Sequence, residues 1–393
     1  MTLFNYLNLN PDKVKDSVLH SDMDAVVKSA VVLALEQLME KERDEHLQAA
    51  SYERTSARKD YRNGYYEREL MISIGRINLR VPRTREGDFS PSVFEKYARV
   101  DQAFVLGMLE MVVNGVSTRK VTNVVETLCG QRVSKSFVSS LTAKLDPVVN
   151  EWANRPLNVM SYRYLFMDAM YIKVRENKRV VSKAVYIATA INSENRREVI
   201  GLRVDAQESK KGWQTFIQSL KGRGLQSPKL IVSDAHEGLR QAIQQEFTGT
   251  SWQRCSVHFK RNIFDKLPKK DVQQFKLDVR RIFQALDVES AREEMEHVAS
   301  KYADEPKVQK ALETLEEGFD DAVQFLNEPL DFARFLSSTN HLERLNQEVR
   351  RREQVIRIFP NEQSAFRLIG AVLMKYDEKE RTKKPMKLPE KRR

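Results

Sequence analysis

Two aspartates and one glutamate are the side chains best suited to chemistry. Asp168 follows the apolar run Tyr164–Met167 and Asp234 follows Leu230–Ser233. Each is therefore expected to close a strand, at the sheet edge where open α/β sheets collect their ligands. Their spacing of 66 residues fits adjacent strands. Glu343 lies in Ser338-Thr339-Asn340-His341-Leu342-Glu343-Arg344, where Thr339 or Asn340 would cap a helix running on through Arg350, Arg351 and Arg352. Hard divalent ions such as Mg²⁺ take oxygen ligands, and a pair of ions held by a few carboxylates can activate an attacking oxygen and stabilise a leaving oxygen on one phosphate. An aspartate after a strand is more often a turn or cap residue, so none of the three marks a site alone. Joined to a basic chain and an arginine-rich helix, the metal-site reading becomes the better one. Asp205, at the end of a third strand, ranks lower because it would point from an outer strand.

Cys255 and His258 have the Cys-x-x-His spacing of half a zinc site. A structural zinc takes four ligands, and only Cys129 and distant histidines remain to supply the rest, so packing or orientation of a substrate strand is the preferred reading. His236, beside Asp234, is either a neighbour of a helix cap or a phosphate contact.

The elements that must position these residues follow from periodicity. Met23 to Leu47 repeats apolar residues at three and four positions, which predicts one long helix that packs on its own domain or pairs with another subunit. Between Arg54 and Arg85, Leu70, Ile72 and Ile74, then Ile77, Leu79 and Val81, alternate about Gly75, which predicts a β-hairpin closed off by Pro82 and Pro91. Three helices follow from Asp101 to Leu145. Gly115 ends the first, Ser117 caps the second, Gly130 ends it and Ser134 caps the third, with Phe137, Val138 and Leu141 facing inward. A helix-turn-helix DNA reader has this layout, and so does a generic helical bundle.

After Pro156 the pattern is Tyr164–Met167, Lys183–Ala190 and Glu198–Val204 as strands, a helix at Lys210–Leu220, an apolar strand at Lys229–Ser233, a helix at His236–Phe247 and a short strand near Trp252–Val257. This is a mixed α/β sheet. Beyond Lys260 the chain reads as helical and acidic to about Asp331, and from Lys379 as a basic, disordered tail.

The 393 residues leave room for two to four domains. A net charge of +11 makes a polyanion the first partner to consider. The excess is uneven: Asp287 to Asp331 holds 14 acidic and 4 basic residues, so the remainder carries +21. That suggests a nucleic-acid surface beside a separate helical module, although an acidic face can also be merely solvated. Two cysteines 126 positions apart exclude a disulfide framework and point to a reducing cytosol. No targeting segment and no run of about 18 apolar residues is visible, so no membrane is expected.

The chain resembles the Mutator-type DDE transposases of bacterial insertion sequences. The resemblance spans nearly all of it, in order: Tyr61-Arg62-Asn63-Gly64, Val81-Pro82-Arg83, Gly115-Val116-Ser117-Thr118-Arg119, Phe166-Met167-Asp168-Ala169, Val232-Ser233-Asp234-Ala235-His236-Glu237-Gly238, Gln253-Arg254-Cys255-Ser256-Val257-His258, Thr339-Asn340-His341-Leu342-Glu343-Arg344-Leu345-Asn346 and Phe359-Pro360. It implies that Asp168, Asp234 and Glu343 are the catalytic and metal-holding triad of a ribonuclease-H-like α/β domain with a mixed five-stranded sheet. It also implies an all-helical insertion before the glutamate, which accounts for the 109 positions between Asp234 and Glu343. Cys255 and His258 are a family mark without a derived role.

The resulting layout is an N-terminal helical region at 1–55 with possible dimerisation, a basic hairpin region at 56–100 and a helix-turn-helix domain at 101–150. The catalytic domain follows at 160–259, the insertion at 260–335, the second catalytic part with the glutamate helix at 336–376, and a basic tail at 377–393. The resemblance further implies two Mg²⁺ ions per site, replaceable by Mn²⁺, and DNA as partner through terminal inverted repeats and a target. At least a dimer, bacterial cytoplasm and association with the nucleoid follow. Expected DNA contacts are Arg62, Arg83, Arg119, Lys120, Lys135, Ser136, Arg254, His258, Arg344, Arg350, Arg351 and Arg352. The competing readings are a related nuclease that never joins strands and a DNA-binding repressor with a decayed catalytic domain.

Overall fold

The structure, a computed structural model, describes residues 23–72, 75–129, 133–270 and 272–386. The chain divides into two compact units, Met1–Leu141 and Thr142–Arg393. The division falls before the helix Asp146–Ala153, which the residue pattern placed with the helix-turn-helix up to residue 150. Arg367 donates to both carboxylate oxygens of Asp146 (2.5 and 2.8 Å) and ties that helix into the second unit.

In the first unit, α1 (Met23–Leu47) lies on a hairpin of β1 (Arg62–Ile72) and β2 (Gly75–Thr84). Antiparallel pairing sets Tyr66, Arg68 and Leu70 opposite Val81, Leu79 and Ile77. The strand period of two thus gives one apolar face, and Leu35 and Met39 of α1 pack on it. The long helix therefore packs within its own unit, while Val27, Leu33 and Leu38 remain exposed. Pro82 does not close the hairpin but lies inside β2 opposite Tyr65. A proline is tolerated there because both strands of a two-stranded sheet are edges. The register shifts between Arg62 and Tyr65, at Gly64 with φ +69°, a conformation that favours glycine. The hairpin turn lies outside the described residues.

Three helices complete this unit: α2 (Ser92–Val113), α3 (Thr118–Cys129) and α4 (Lys135–Thr142). α2 begins earlier than its periodicity predicts, directly after Pro91, whose fixed φ suits a helix start. It ends at Gly115, φ +88°, with Gly115 N–H donating to Val112 O and Val116 N–H to Met111 O (both 2.9 Å). Ser117 and Ser134 cap α3 and α4 by accepting from Lys120 N–H (3.3 Å) and Phe137 N–H (3.0 Å). Gly130 lies outside the described residues. Val138 and Leu141 are buried as expected, but Phe137 is 44 % exposed.

The second unit opens with α5 (Asp146–Ala153) and a five-stranded sheet, β3 (Tyr162–Glu176), β4 (Arg179–Asn192), β5 (Arg197–Asp205), β6 (Leu230–Ser233) and β7 (Ser251–Arg254). Spatial order is β5-β4-β3-β6-β7, with β4 antiparallel to both its neighbours and β6 and β7 parallel to β3. The long β3–β4 ribbon runs past Asp168, which is therefore mid-strand rather than at a strand end. The apolar run that predicted a strand covers only its continuously buried start, whereas beyond Asp168 burial alternates through Met170, Ile172 and Val174 and pairing with β4 continues to Glu176.

Crossover helices α6 (Lys210–Gly222) and α7 (Glu237–Glu246) cover one sheet face. Their Trp213, Phe216 and Ile243 pack there with Leu165 and Met167. β7 stops at Arg254, so Ser256, Val257 and His258 open a helix, α8 (Ser256–Phe264), instead of continuing the strand. Then come α9 (Gln273–Ile282), α10 (Val288–Lys301), α11 (Gln309–Ala322) and α12 (Leu330–Leu336), the expected acidic helical stretch. The glutamate-bearing α13 (Asn340–Ile356) and α14 (Glu362–Thr382) return to the sheet.

Phe359, between them, exchanges backbone hydrogen bonds with Lys173 and Arg175 of β3 (2.9 and 2.8 Å). The basic tail is ordered further than its composition suggests. Lys379 and Arg381 lie in α14, Arg381 pairs with Asp377 (3.1 Å), and Met386 N–H donates to Asn195 O (3.0 Å). Residues 387–393 lie outside the described residues. Among the described residues no helix is long and apolar enough to cross a membrane.

Candidate active site and DNA-facing surface

Alternation along β3 sends Leu165 and Met167 to the core under α6 and α7, and Phe166 and Asp168 to the opposite face. On that face the Phe166 ring meets His341 at 4.4 Å, and Asn346 Nδ2 donates to Asp168 Oδ2 at 2.8 Å. The strand therefore looks onto the first turns of α13. Parallel pairing of β3 with β6 ends at Phe166 and Val232, and two positions further along the chain stand Asp168, within β3, and Asp234, directly after β6. This bears out the expectation of adjacent strands.

The electrostatics agree. Burial first, and then the Asp234 charge, push the Asp168 carboxyl up to about 7, against the Ala169 N–H that it accepts at 2.9 Å. Glu343 sits on the first turn of α13, with Oε1 3.2 Å from His258 Nε2. That approach is within ion-pair range but off hydrogen-bond alignment, so Glu343 Oε1 is a buried oxygen without a donor, as is Asn346 Oδ1. His258 is held above its ordinary value by the Cys255 thiol, ahead of the Glu343 and Asp168 charges.

These donors suit a hard cation. Two carboxylates repel each other on neighbouring strands, and two buried oxygens beside them have lone pairs to offer. Among the described residues, no three His, Cys, Asp or Glu side chains converge closely enough to hold one ion, since Glu343 is turned onto His258. The donor chemistry fits Mg²⁺, with the third carboxylate standing at the edge of the pair.

Thr339 occupies the cap position of α13 but donates its hydroxyl to Cys255 Sγ rather than capping with it. His236 is itself the cap of α7, its Nδ1 accepting from Leu239 N–H at 3.3 Å. Asp205 ends the outer strand β5 and is paired with Arg203 (3.0 Å).

The expected DNA contacts fall into two groups. Arg119, Lys135 and Ser136 are exposed and line one groove of about 610 Å³ between α3 and α4, and Lys120 is exposed beside them. Arg83 is exposed with its guanidinium over Tyr66 (4.6 Å), and Arg344, Arg350 and Arg351 are exposed along α13. The others are committed internally. Arg62 pairs with Asp44 (2.5 Å) and donates to Ala49 O and Ala50 O, fastening the loop that follows α1. Arg352 is buried and bonded to Glu348, because it falls on the inner face of α13. Arg254 is half-buried over Phe259 (4.3 Å), and burial lowers its pKa.

Two residues of the site are not marked by the residue pattern. Asn346 stands three positions after Glu343, hence on the same helix face, a spacing that could have marked it. Glu208, which accepts from Trp213 Nε1 (3.1 Å) and adds to the negative field on Asp168, lies in a loop without periodicity to reveal it.

Sequence comparison with known proteins covers almost the full length of the chain. The chain is 51 % identical over 369 residues, 94 % of each protein, to the transposase for insertion sequence element IS256 in transposon Tn4001 of Staphylococcus aureus. It is 39 % identical to the transposase for element ISRM5 of Rhizobium meliloti (93 % of this chain, 90 % of that one) and 36 % to that for IS1081 of Mycobacterium tuberculosis (86 % and 81 %). Among solved structures, a simian T-cell lymphotropic virus intasome in complex with PP2A regulatory subunit B56 gamma aligns with 47 % of this chain and 61 % of that one. Its 11 % identity and TM-score of 0.18 bear no weight for the fold. The family model described as transposase, Mutator family, matches residues 4–382. The chain belongs to the Mutator family of transposases.

Proposed function

We propose that this protein is a DDE transposase that binds the terminal inverted repeats of an insertion sequence, cuts DNA strands at its ends and joins the freed 3′ hydroxyl to another DNA strand. The observation that carries this is the placement of Asp168 on β3 and of Asp234 directly after its parallel neighbour β6, beside the glutamate-bearing helix that Asn346 fastens to Asp168. The strand order, with only the second strand of the sheet reversed, supports a ribonuclease-H-like reading of 160–259 and 336–376, interrupted by the helices of 260–335.

Asp168, Asp234 and Glu343 would hold two Mg²⁺ ions, or Mn²⁺ in their place. When bound, such ions supply activation of the attacking oxygen and neutralisation of charge on the leaving oxygen. The chain's own part is to keep Asp168 oriented through Asn346 and Ala169 N–H, and to keep His258 against Glu343. The groove of Arg119, Lys135 and Ser136 is the proposed grip on the repeats, and the exposed Arg344, Arg350 and Arg351 are proposed phosphate contacts. Holding two ends at once requires at least a dimer. Action on bacterial DNA places the protein in the cytoplasm at the nucleoid.

The test is incubation with labelled repeat-bearing DNA and Mg²⁺, resolved on a denaturing gel beside Asp234→Asn. The expected result is cleaved and longer joined strands, both reduced on the order of 10³-fold or more in the variant with DNA binding intact. Cleavage without joining would replace the proposal by a nuclease, and binding with neither product by a repressor.

A further inference from the structure

Asp168 and Asp234 are brought together by strand pairing, but nothing in the sheet brings Glu343, which follows 109 positions after Asp234 and beyond an intervening set of helices. A long excursion of this kind leaves the approach of α13 to be fixed by local contacts, because loop closure itself specifies no geometry. The contacts that meet it converge on the one motif whose role the reaction does not absorb. Cys255, at the cap position of α8, is fully buried. Its N–H donates to Ser233 O (2.7 Å), one residue before Asp234. Its Sγ accepts from both the N–H and the hydroxyl of Thr339 (3.4 Å each), the residue that precedes α13 and whose carbonyl accepts from Glu343 N–H (3.0 Å). The next residue, Ser256, donates its N–H to Ser337 O (2.8 Å). One turn into α8, His258 reaches Glu343 itself.

We infer that the Cys255-x-x-His258 pair is a clasp that docks the glutamate-bearing helix onto the aspartate-bearing strand ends, with Cys255 and Thr339 as positioning residues for Glu343. Three backbone or thiol bonds fix the start of α13, and His258 fixes the carboxylate. Sulfur is well matched to this position because it accepts two donors at long range in a space closed to water, where Thr339 is buried and its hydroxyl has no other acceptor among the described residues. The Cys-x-x-His spacing then follows from α8 itself, because a cap residue and a residue on the first turn are what can touch the start of α13 and its first turn together.

This inference rests on the reading of Glu343 as catalytic, and the experiment separates the two. Steady-state strand cleavage, DNA affinity and thermal unfolding are measured for Cys255→Ala, Thr339→Val, Thr339→Ser, the double variant Cys255→Ala/Thr339→Val, and Glu343→Gln. A clasp lowers kcat about 10- to 100-fold in Cys255→Ala and Thr339→Val, with KM for DNA nearly unchanged. The double variant is no slower than the slower single one, because both cut one link. Thr339→Ser, which restores the hydroxyl, recovers most of the loss. If Cys255→Ala does not fold, the near-isosteric Thr339→Val carries the test. An unchanged kcat in a folded Thr339→Val, or multiplied losses in the double variant, overturns the clasp. Cleavage retained by Glu343→Gln overturns instead the catalytic reading of Glu343, whatever the clasp variants do.

Discussion

The two units of this chain spend their charges in opposite ways. In the first, several cations stand outside: Arg119 and Lys135 open onto a groove, and Arg68, Arg80 and Arg83 lie across the faces of Phe94, Tyr65 and Tyr66. In the second, the decisive charges are negative and drawn inward, with Asp168 beside Asp234 and a buried, undonated oxygen on Glu343. A surface that neutralises phosphates tolerates loss of any one contact, because counterion release is roughly additive. A preorganised set of carboxylates does not, since each works only in register with the others. Grip and chemistry therefore place different demands on the fold: exposure for one, and over-determined position for the other.

The largest effect that would break this contrast is at Asn346. Asn346→Ala removes the 2.8 Å bond to Asp168 and is expected to slow strand cleavage roughly 10- to 100-fold with little change in DNA affinity. A cleavage rate equal to that of the unaltered protein would mean that Asp168 holds its position without support.

A smaller effect should appear in stability. Folded Asp168 keeps its proton to about 7, whereas the unfolded carboxyl loses it near 3.8, so the native state binds more protons across that window and its stability falls as pH rises. In chelator, Asp168→Asn should therefore melt at least about 2 °C above the unaltered protein at pH 8, with the gap closing toward pH 4. Equal melting temperatures at both pH values would show that Asp168 is not held above its ordinary value.

The smallest effect is in the first unit. Arg119→Ala and Lys135→Ala should each lower the slope of log affinity against log salt by about 1, while Ser136→Ala leaves it unaltered. Slopes unchanged by both cationic substitutions would remove the groove from the DNA surface.

Much of the architecture is legible in the residues because its determinants are local. Met23–Leu47 declares a helix by its own period, Ser117 and Ser134 declare caps, and Gly115 declares a stop, since each acts on neighbours within one turn. Leu230–Val232 is apolar throughout because the strand lies between β3 and β7, inside the sheet and covered by the rest of the unit. The strand continuing through Asp168 leaves no apolar run, only the alternation of Met170, Ile172 and Val174, because beyond Asp168 one face alone is buried while β4 and the backbone of Phe359 complete the pairing. The opposite fates of Arg350 and Arg352 were hidden for a related reason: two residues apart on one helix they face different ways, and only the packing of α13 says which way is inward.

By itself, then, the sequence determined the excess of basic charge, the period of each long element, the caps, and the three carboxylates with their order along the chain. Each of these is fixed by side-chain type and by spacing within a few residues. The tertiary structure alone decided that Asn346 would hold Asp168, that Glu343 would meet His258, and that Cys255 would accept from Thr339. These are contacts between segments 84 to 178 positions apart, and they exist only once the sheet and its returning helices have closed. Local propensity carries no information across such distances.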